Sequence, residues 1–246
     1  MTNRYSMNQT EPLRIAVLNA AIHDDEGHTR RNFRRELGTD TVEFDVDEGE
    51  IPDAFDFDAI AITGSAASVY WDDDWIDETR EYVREGIDRG LPVLGVCWGH
   101  QLLGDVLGGT VEDMGQFEIG YREIRRIGDA PLLSGLDDPF VAFATHGDAV
   151  TELPPGAEPI AETDVANYGF RVGHAFGVQF HPEYDAETAR TVTEGKEFLD
   201  DDRIDAVLAG IDDENLAAAG ETKRLFDNFI EYVREVQAEG KRPTNR

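Results

Sequence analysis

Short apolar runs alternate with amphipathic stretches over the first hundred residues. The runs at 13–18 (LRIAVL), 42–46, 59–63 (AIAIT) and 92–96 (PVLGV) are rich in β-branched residues and read as buried strands. Between the third and fourth lies DDDWIDETREYVREGIDRG, in which Ile76, Val83 and Ile87 recur at helical spacing, acids fill the first turn and Gly90 closes the segment. That pattern predicts a capped amphipathic helix. Strand, helix, strand in succession implies right-handed crossovers, so the expected fold class is α/β: an open, doubly wound, mostly parallel sheet with helices on both faces. After Gly109 the pattern changes. Segments 117–127, 140–145, 158–162, 167–173 and 176–180 read as short strands separated by turn residues, an antiparallel extension of the same sheet. Helical periodicity returns at 186–198 and at 221–237, where Leu225, Phe226, Phe229, Ile230 and Val233 form an apolar stripe. The acidic, alanine-rich stretch 200–220 between them is expected to be a helical excursion. No repeat or linker divides the chain, so 1–246 is expected to be one domain, with 1–12 and 239–246 as tails.

Composition narrows the classes of function. The 246 residues carry 52 Asp and Glu against 22 Lys and Arg, a formal charge of −30, with 40% hydrophobic residues to build a core. The acids are interleaved with apolar residues, which argues against a disordered acidic tail. Such a surface repels phosphate backbones, so no nucleic-acid partner is expected. With only three lysines, the balance resembles that of proteins from salt-loving archaea, whose self-repulsion is screened at molar salt. One cysteine cannot form an internal disulfide or a thiolate cluster, and a cytoplasmic location is the simplest reading. The apolar stretch 90–98 is about half a membrane span, and MTNRYSMNQTEP lacks the apolar core of a secretory signal, so no membrane partner is expected.

That one cysteine sits in the most informative segment, GVCWGHQLLG (95–104), directly after a buried strand and at the start of a helical pattern. Glycines two residues either side of Cys97 permit the sharp turn that pushes a nucleophile out of a sheet. The first helical turn then points its free N–H groups and positive dipole end at the sulfur, favouring the thiolate. A base is supplied by GVQFHPE (177–183): in extended chain Gln179, His181 and Glu183 point to one side, while Val178 and Phe180 point into the sheet. Pro182 keeps His181 extended. Glu183 can then accept a hydrogen bond from one ring nitrogen and orient the other towards sulfur. His23, His28, His100 and His174 lack metal-ligand spacing, and neither a metal nor a cofactor is expected.

GVCWGHQLLG followed about 80 residues later by GVQFHPE resembles the class I glutamine amidotransferases, across nearly the whole chain. The resemblance implies Cys97 as nucleophile, His181 as general base and acid, and Glu183 as the residue orienting the histidine. It implies an oxyanion hole from the backbone N–H of Trp98 and one from the Gly64–Ser65 turn. Gln101, expected near the pocket entrance, helps hold the glutamine substrate in the family, and Phe117-Glu118-Ile119-Gly120 is similar to the segment whose backbone meets the substrate's amino-acid head. Thr145-His146-Gly147-Asp148 resembles a motif of the GMP synthetase-like branch. A capping turn is the bland alternative for it, and His146 is kept out of the triad.

Three functions are compatible with this resemblance. The first is a stand-alone amidotransferase subunit that cleaves L-glutamine and passes ammonia to a synthetase subunit, since no G-x-x-x-x-G-K phosphate loop is present. The second is a hydrolase of the same fold acting on larger γ-glutamyl compounds. The third is a regulatory scaffold, disfavoured by an intact Cys97, His181 and Glu183. The bulk of Trp98 beside the nucleophile is expected to narrow the pocket or shield a thioester, and 200–220 to cover the pocket or contact a partner.

Overall fold

The computed structural model describes residues 12–22 and 27–240. Among these, nine strands form one sheet in the order β2-β1-β3-β4-β9-β8-β7-β5-β6. Its parallel half is built from β1 (Arg14–Asn19), β2 (Asp40–Asp45), β3 (Ala59–Ile62), β4 (Val93–Val96) and β9 (Ala175–Val178). Every residue of β3, β4 and β9 is buried, as their unbroken apolar runs require when both faces are covered. On one face, Phe226 and Phe229 of α7 (Arg224–Gly240) and Phe33 of α1 (His28–Leu37) pack with Val17, Leu94 and Phe176. On the other, Ile76 and Val83 of α2 (Asp74–Asp88) and Leu102 of α3 (Trp98–Val106) pack with Leu18, Ile60 and Val93.

The antiparallel half joins through β8 (Asn167–Val172) and β7 (Glu158–Glu162) to a long two-stranded arm, β5 (Thr110–Arg126) with β6 (Phe140–Glu152). Both arm strands are longer than the sequence pattern predicts. Their polar residues are paired across the ladder, Glu118 against His146 and Asp113 against Asp148, with a register shift between 113 and 118.

Helix α4 (Ala186–Glu194) is capped by Asp185, whose carboxylate accepts from the Thr188 N–H. The 200–220 excursion is two helices, α5 (Asp201–Ala209) and α6 (Asp213–Gly220), begun by Asp200 and Asp212 in the same way. They lie against the arm: Val207 and Leu216 join Ile119, Phe143 and Ile211 in a small third core, and Arg203 donates to the Phe117 carbonyl. Of the two segments read as tails, 1–11 and 241–246 lie outside the described residues, while Glu239 and Gly240 belong to α7. Among the described residues no helix is long and apolar enough to cross a membrane.

Candidate active site

β4 ends at Val96 and α3 begins at Trp98, so Cys97 alone makes the strand-to-helix turn. Its backbone is at φ 54°, ψ −103°, and among the described residues no other non-glycine has positive φ. Such a conformation costs roughly 1–3 kcal/mol and persists only where the surroundings impose it. Here they do. A Cβ on Gly95 would lie 2.3 Å from the Gly99 carbonyl oxygen, and one on Gly99 would lie 2.6 Å from that of Ile62, so the helix can seat on the sheet only with glycine at both places. The Cys97 N–H donates to Val178 (2.8 Å) and the Gly99 N–H to Thr63 (3.2 Å), tying the elbow to β9 and to the end of β3.

The turn directs the thiol out of the sheet, but neighbouring segments cover it, leaving Cys97 only 4% exposed. The Thr145 carbonyl of β6 lies 3.8 Å from Sγ and the Gln179 amide nitrogen 3.7 Å. β9 itself stops at Val178, short of the predicted strand end at 180, and the chain bends through Gln179 and Phe180. His181 is then fixed by its N–H donating to the Phe143 carbonyl (2.8 Å). The expected alternation survives the bend: Gln179, His181 and Glu183 are gathered at the site, while Val178 and Phe180 enter the core.

His181 Nδ1 and Glu183 Oε1 are 2.8 Å apart in a buried pair, and the Tyr184 ring stacks on the imidazole at 4.2 Å. Burial opposes a charge on His181, but the Glu183 carboxylate and the adjacent Cys97 sulfur outweigh it and push the imidazole up to about 10. The ring is therefore an imidazolium at neutral pH. Among the described residues its Nε2 has no hydrogen-bond partner. Gly64 closes the group: a Cβ there would meet His181 Cε1 at 2.9 Å and Cys97 Cβ at 3.6 Å. The 64–65 turn thus passes directly over Cys97 and His181, and Trp98 N–H opens α3 with no helical acceptor of its own. Ser65 shapes the loop by accepting from the Ala67 N–H.

Other expectations change. The Trp98 side chain does not enter the pocket. It is fully buried on the opposite sheet face and packs on Trp75 at 5.3 Å, because the first residue of α3 directs its side chain back under the sheet. Gln101 is buried, not at an entrance; its amide donates to the Asp148 carbonyl (2.9 Å) and lies 3.2 Å from Gln179 Oε1, so it braces the glutamine that faces the sulfur. His146 lies within β6 and caps no turn. Its Nδ1 is 3.0 Å from the Asp148 carbonyl, and its Nε2 is 3.2 Å from the Tyr168 hydroxyl and 3.3 Å from the Glu118 carboxylate. Burial works against ionisation of Glu118, yet hydrogen bonds from His146, Tyr168 and Arg122 prevail and lower it to about 2. The Glu118 side chain thus belongs to a buried network. Ile119 is core, and Phe117 stands edge-on to Phe198 at 5.0 Å.

Sequence reasoning named Asp148 without its contact and missed Lys196. The Asp148 carboxylate accepts from Ser68 (2.6 Å) and Tyr70 (2.9 Å), clipping the 64–70 loop to the arm. The neighbouring His146 draws attention to that segment but not to this contact. Half-buried Lys196 sets its ammonium 5.3 Å from the centre of the Phe117 ring. A cavity of about 190 Å³ adjoins His181, bounded by Tyr121, Phe143 and Tyr184 and by Leu216 and Ala219 of α6.

A thiol on a strained elbow, facing a carboxylate-oriented imidazolium at the carboxyl end of a parallel sheet, is equipped for acyl transfer to sulfur. The family model for class-I glutamine amidotransferases matches residues 26–200, and the chain belongs to that family. The segment 201–220 that forms α5 and α6 lies beyond the match. A glutamine-hydrolysing GMP synthase of an Azoarcus species is 37% identical over 197 residues, which is 76% of this chain and 36% of that protein. That of Thermomicrobium roseum is 39% identical over 125 residues, 50% of this chain and 23% of that one. The chain therefore spans about a quarter to a third of these relatives. Among solved structures, a Thermotoga maritima glutamine amidotransferase aligns over 90% of this chain and 100% of its own with TM-score 0.75 and 23% identity. A Thermoplasma acidophilum protein assigned as a GMP synthase subunit covers 95% and 100% with TM-score 0.67 at 20% identity. Those two likenesses establish the fold.

Proposed function

We propose that this chain hydrolyses the side-chain amide of glutamine through a γ-glutamyl thioester on Cys97 and supplies the ammonia to a separate, GMP synthetase-like synthetase subunit. The observation that carries the reading is the positive-φ Cys97 held beside the His181–Glu183 pair. In this reading Cys97 attacks the amide carbon as a thiolate paired with the His181 imidazolium. The oxyanion that develops is received by the backbone N–H of Trp98 and of the Gly64–Ser65 turn. His181 gives its proton to the departing nitrogen, ammonia leaves, and the now neutral ring takes a proton from the water that cleaves the thioester. Glutamate departs and the thiolate–imidazolium pair is restored. The Phe117–Ile119 backbone is assigned to the amino-acid head of the substrate. Gln101 acts one layer out, through Gln179.

One observation favours a second reading, hydrolysis of larger γ-glutamyl compounds. The cavity of about 190 Å³ beside the histidine that protonates the leaving group has room for more than ammonia. The deciding experiment is release of ammonia and glutamate from glutamine, measured beside cleavage of a γ-glutamyl dipeptide in molar KCl, with Cys97→Ala as control. Release from glutamine that vanishes in the variant supports the amidase. Cleavage of the dipeptide alone supports the second reading, and silence on both, with and without a candidate synthetase, contradicts both.

A further inference from the structure

Lys196 follows the last turn of α4, with its N–H donating to the Thr193 carbonyl (3.1 Å) and its carbonyl accepting from Leu199 (2.9 Å). This turn sets the side chain over Phe117, which packs on the small third core and also meets the edge of Phe198 and the open face of Gly147, where a Cβ would lie 3.3 Å from the Phe117 ring. Gly147 is two residues along β6 from Thr145, whose carbonyl touches the Cys97 sulfur. Lys196 is thus one aromatic ring and one short stretch of strand away from the nucleophile.

What distinguishes it is its lack of a partner. Other cations are engaged: Arg122 with Glu118, Arg203 with the Phe117 carbonyl, Arg190 with the Ile211 carbonyl and Lys223 with Glu36. Among the described residues Lys196 has no carboxylate and no side-chain hydrogen bond, only the face of Phe117. In a chain of net charge −30, a half-buried ammonium left without an anion is unusual. Holding it there costs free energy that the ring only partly offsets. Burial pushes the ammonium down, and the charge that counters this is that of Cys97. An acidic protein that grips a substrate by a carboxylate also needs a local positive charge to offset its own field there.

We propose that Lys196 binds the α-carboxylate of the γ-glutamyl group and so determines which acyl donors reach Cys97. The proposal rests on the reading of this site as a γ-glutamyl acyl-transfer centre. It applies equally to glutamine and to larger γ-glutamyl compounds, because both carry that carboxylate several bonds from the carbon attacked. Phe117 holds the ammonium in place for it, and the 117–120 backbone is left to meet the α-amino group.

The test uses Lys196→Met, which keeps the length and apolar stem, with Lys196→Arg as the charge-conserving variant. Two substrates are compared, glutamine and L-glutaminamide, which differ only at the α-carboxylate. The wild type should prefer glutamine. Lys196→Met should lose about 10- to 100-fold in kcat/KM for glutamine, chiefly through KM, and little for the amide, so that the preference collapses. Lys196→Arg should restore part of it. An unchanged glutamine-to-glutaminamide ratio in Lys196→Met overturns the assignment. A readout without turnover separates it from the parent reading: the rate at which 6-diazo-5-oxo-L-norleucine, which bears an α-carboxylate, labels Cys97, divided by the rate for iodoacetamide, which does not. That ratio should fall at least about 10-fold in Lys196→Met. If both proteins are labelled with the same ratio, the role of Lys196 is wrong. If iodoacetamide labels the wild type and the diazoketone does not, the γ-glutamyl reading fails and the role fails with it.

Discussion

The two halves of the sheet divide the work. In the parallel half, β3, β4 and β9 end side by side, and their ends deliver the Gly64 turn, Cys97 and the Gln179–Glu183 segment to one place, with the Phe143 carbonyl of β6 pinning His181. The antiparallel half supplies a cover. The arm contributes the Thr145 carbonyl, Phe117 and Asp148, and α5 and α6 pack against its outer surface. Chemistry placed on strand ends is fixed by the register of a buried sheet, whereas a cover built from an arm, a loop and two half-buried helices can vary without disturbing it. Substitutions in the first half should therefore abolish the reaction, and substitutions in the second should tune it.

The largest expected effect is at the elbow. Cys97→Ala should lower kcat at least about 10⁴-fold while the melting temperature moves by only about 2–3 °C. Cys97→Gly, equally inactive, should be the more stable of the two by about 1 kcal/mol, since glycine relieves the positive φ; urea melts of both variants check this. Equal stabilities would show that the elbow stores no strain.

Next comes Glu183→Gln, expected to cost about 10²- to 10⁴-fold in kcat by loosening the imidazole and removing the main attraction for its proton. It also sharpens the pH argument. His181 is raised, so the imidazolium is fully present below its unfolded value and is lost as pH rises through about 10. Wild-type kcat/KM should accordingly hold to about pH 9 and fall above about 10. In Glu183→Gln that limb should move to lower pH, and an unmoved limb would assign it to another group.

The comparison is tested from the other side by Asp148→Asn, which weakens the clip on Ser68 and Tyr70. A loss of about 10-fold in kcat, with stability down by about 1 kcal/mol, is expected if the arm only positions the loop. A loss as large as that of Glu183→Gln would place the arm within the chemistry. The smallest effect concerns the surface. With 52 acids against 22 bases, raising KCl towards molar concentrations should raise the melting temperature, and a fall would count against the salt-adapted reading of the composition.

The same division governs how much of the molecule is legible in the sequence. Continuous apolar runs announce strands buried on both faces, so the parallel half and its catalytic candidates can be read from the glycines around Cys97 and the alternation through His181. The arm cannot. The apolar pattern ends β6 at 145 because His146, Gly147 and Asp148 break it, yet the strand runs on to Glu152, with His146 and Asp148 paired across the ladder and Asp148 tied to the 64–70 loop by contacts that a linear sequence does not display. Trp98 is the converse case. Adjacency to the nucleophile suggests a pocket wall, but a helix that starts at the elbow sends its first side chain under the sheet, beside Trp75. Lys196 gives no signal beyond the rarity of lysine in this chain.

The central claim is that Cys97 carries a γ-glutamyl group during turnover. Acid quenching of the enzyme during steady-state reaction with glutamine, followed by mass spectrometry of the peptide that contains Cys97, tests it directly. The account predicts a peptide heavier by one γ-glutamyl group, discharged by hydroxylamine and missing from Cys97→Ala. Undiminished ammonia release by Cys97→Ala, or glutamine turnover in which acid quenching never finds Cys97 acylated and added hydroxylamine yields no γ-glutamyl hydroxamate, would contradict it.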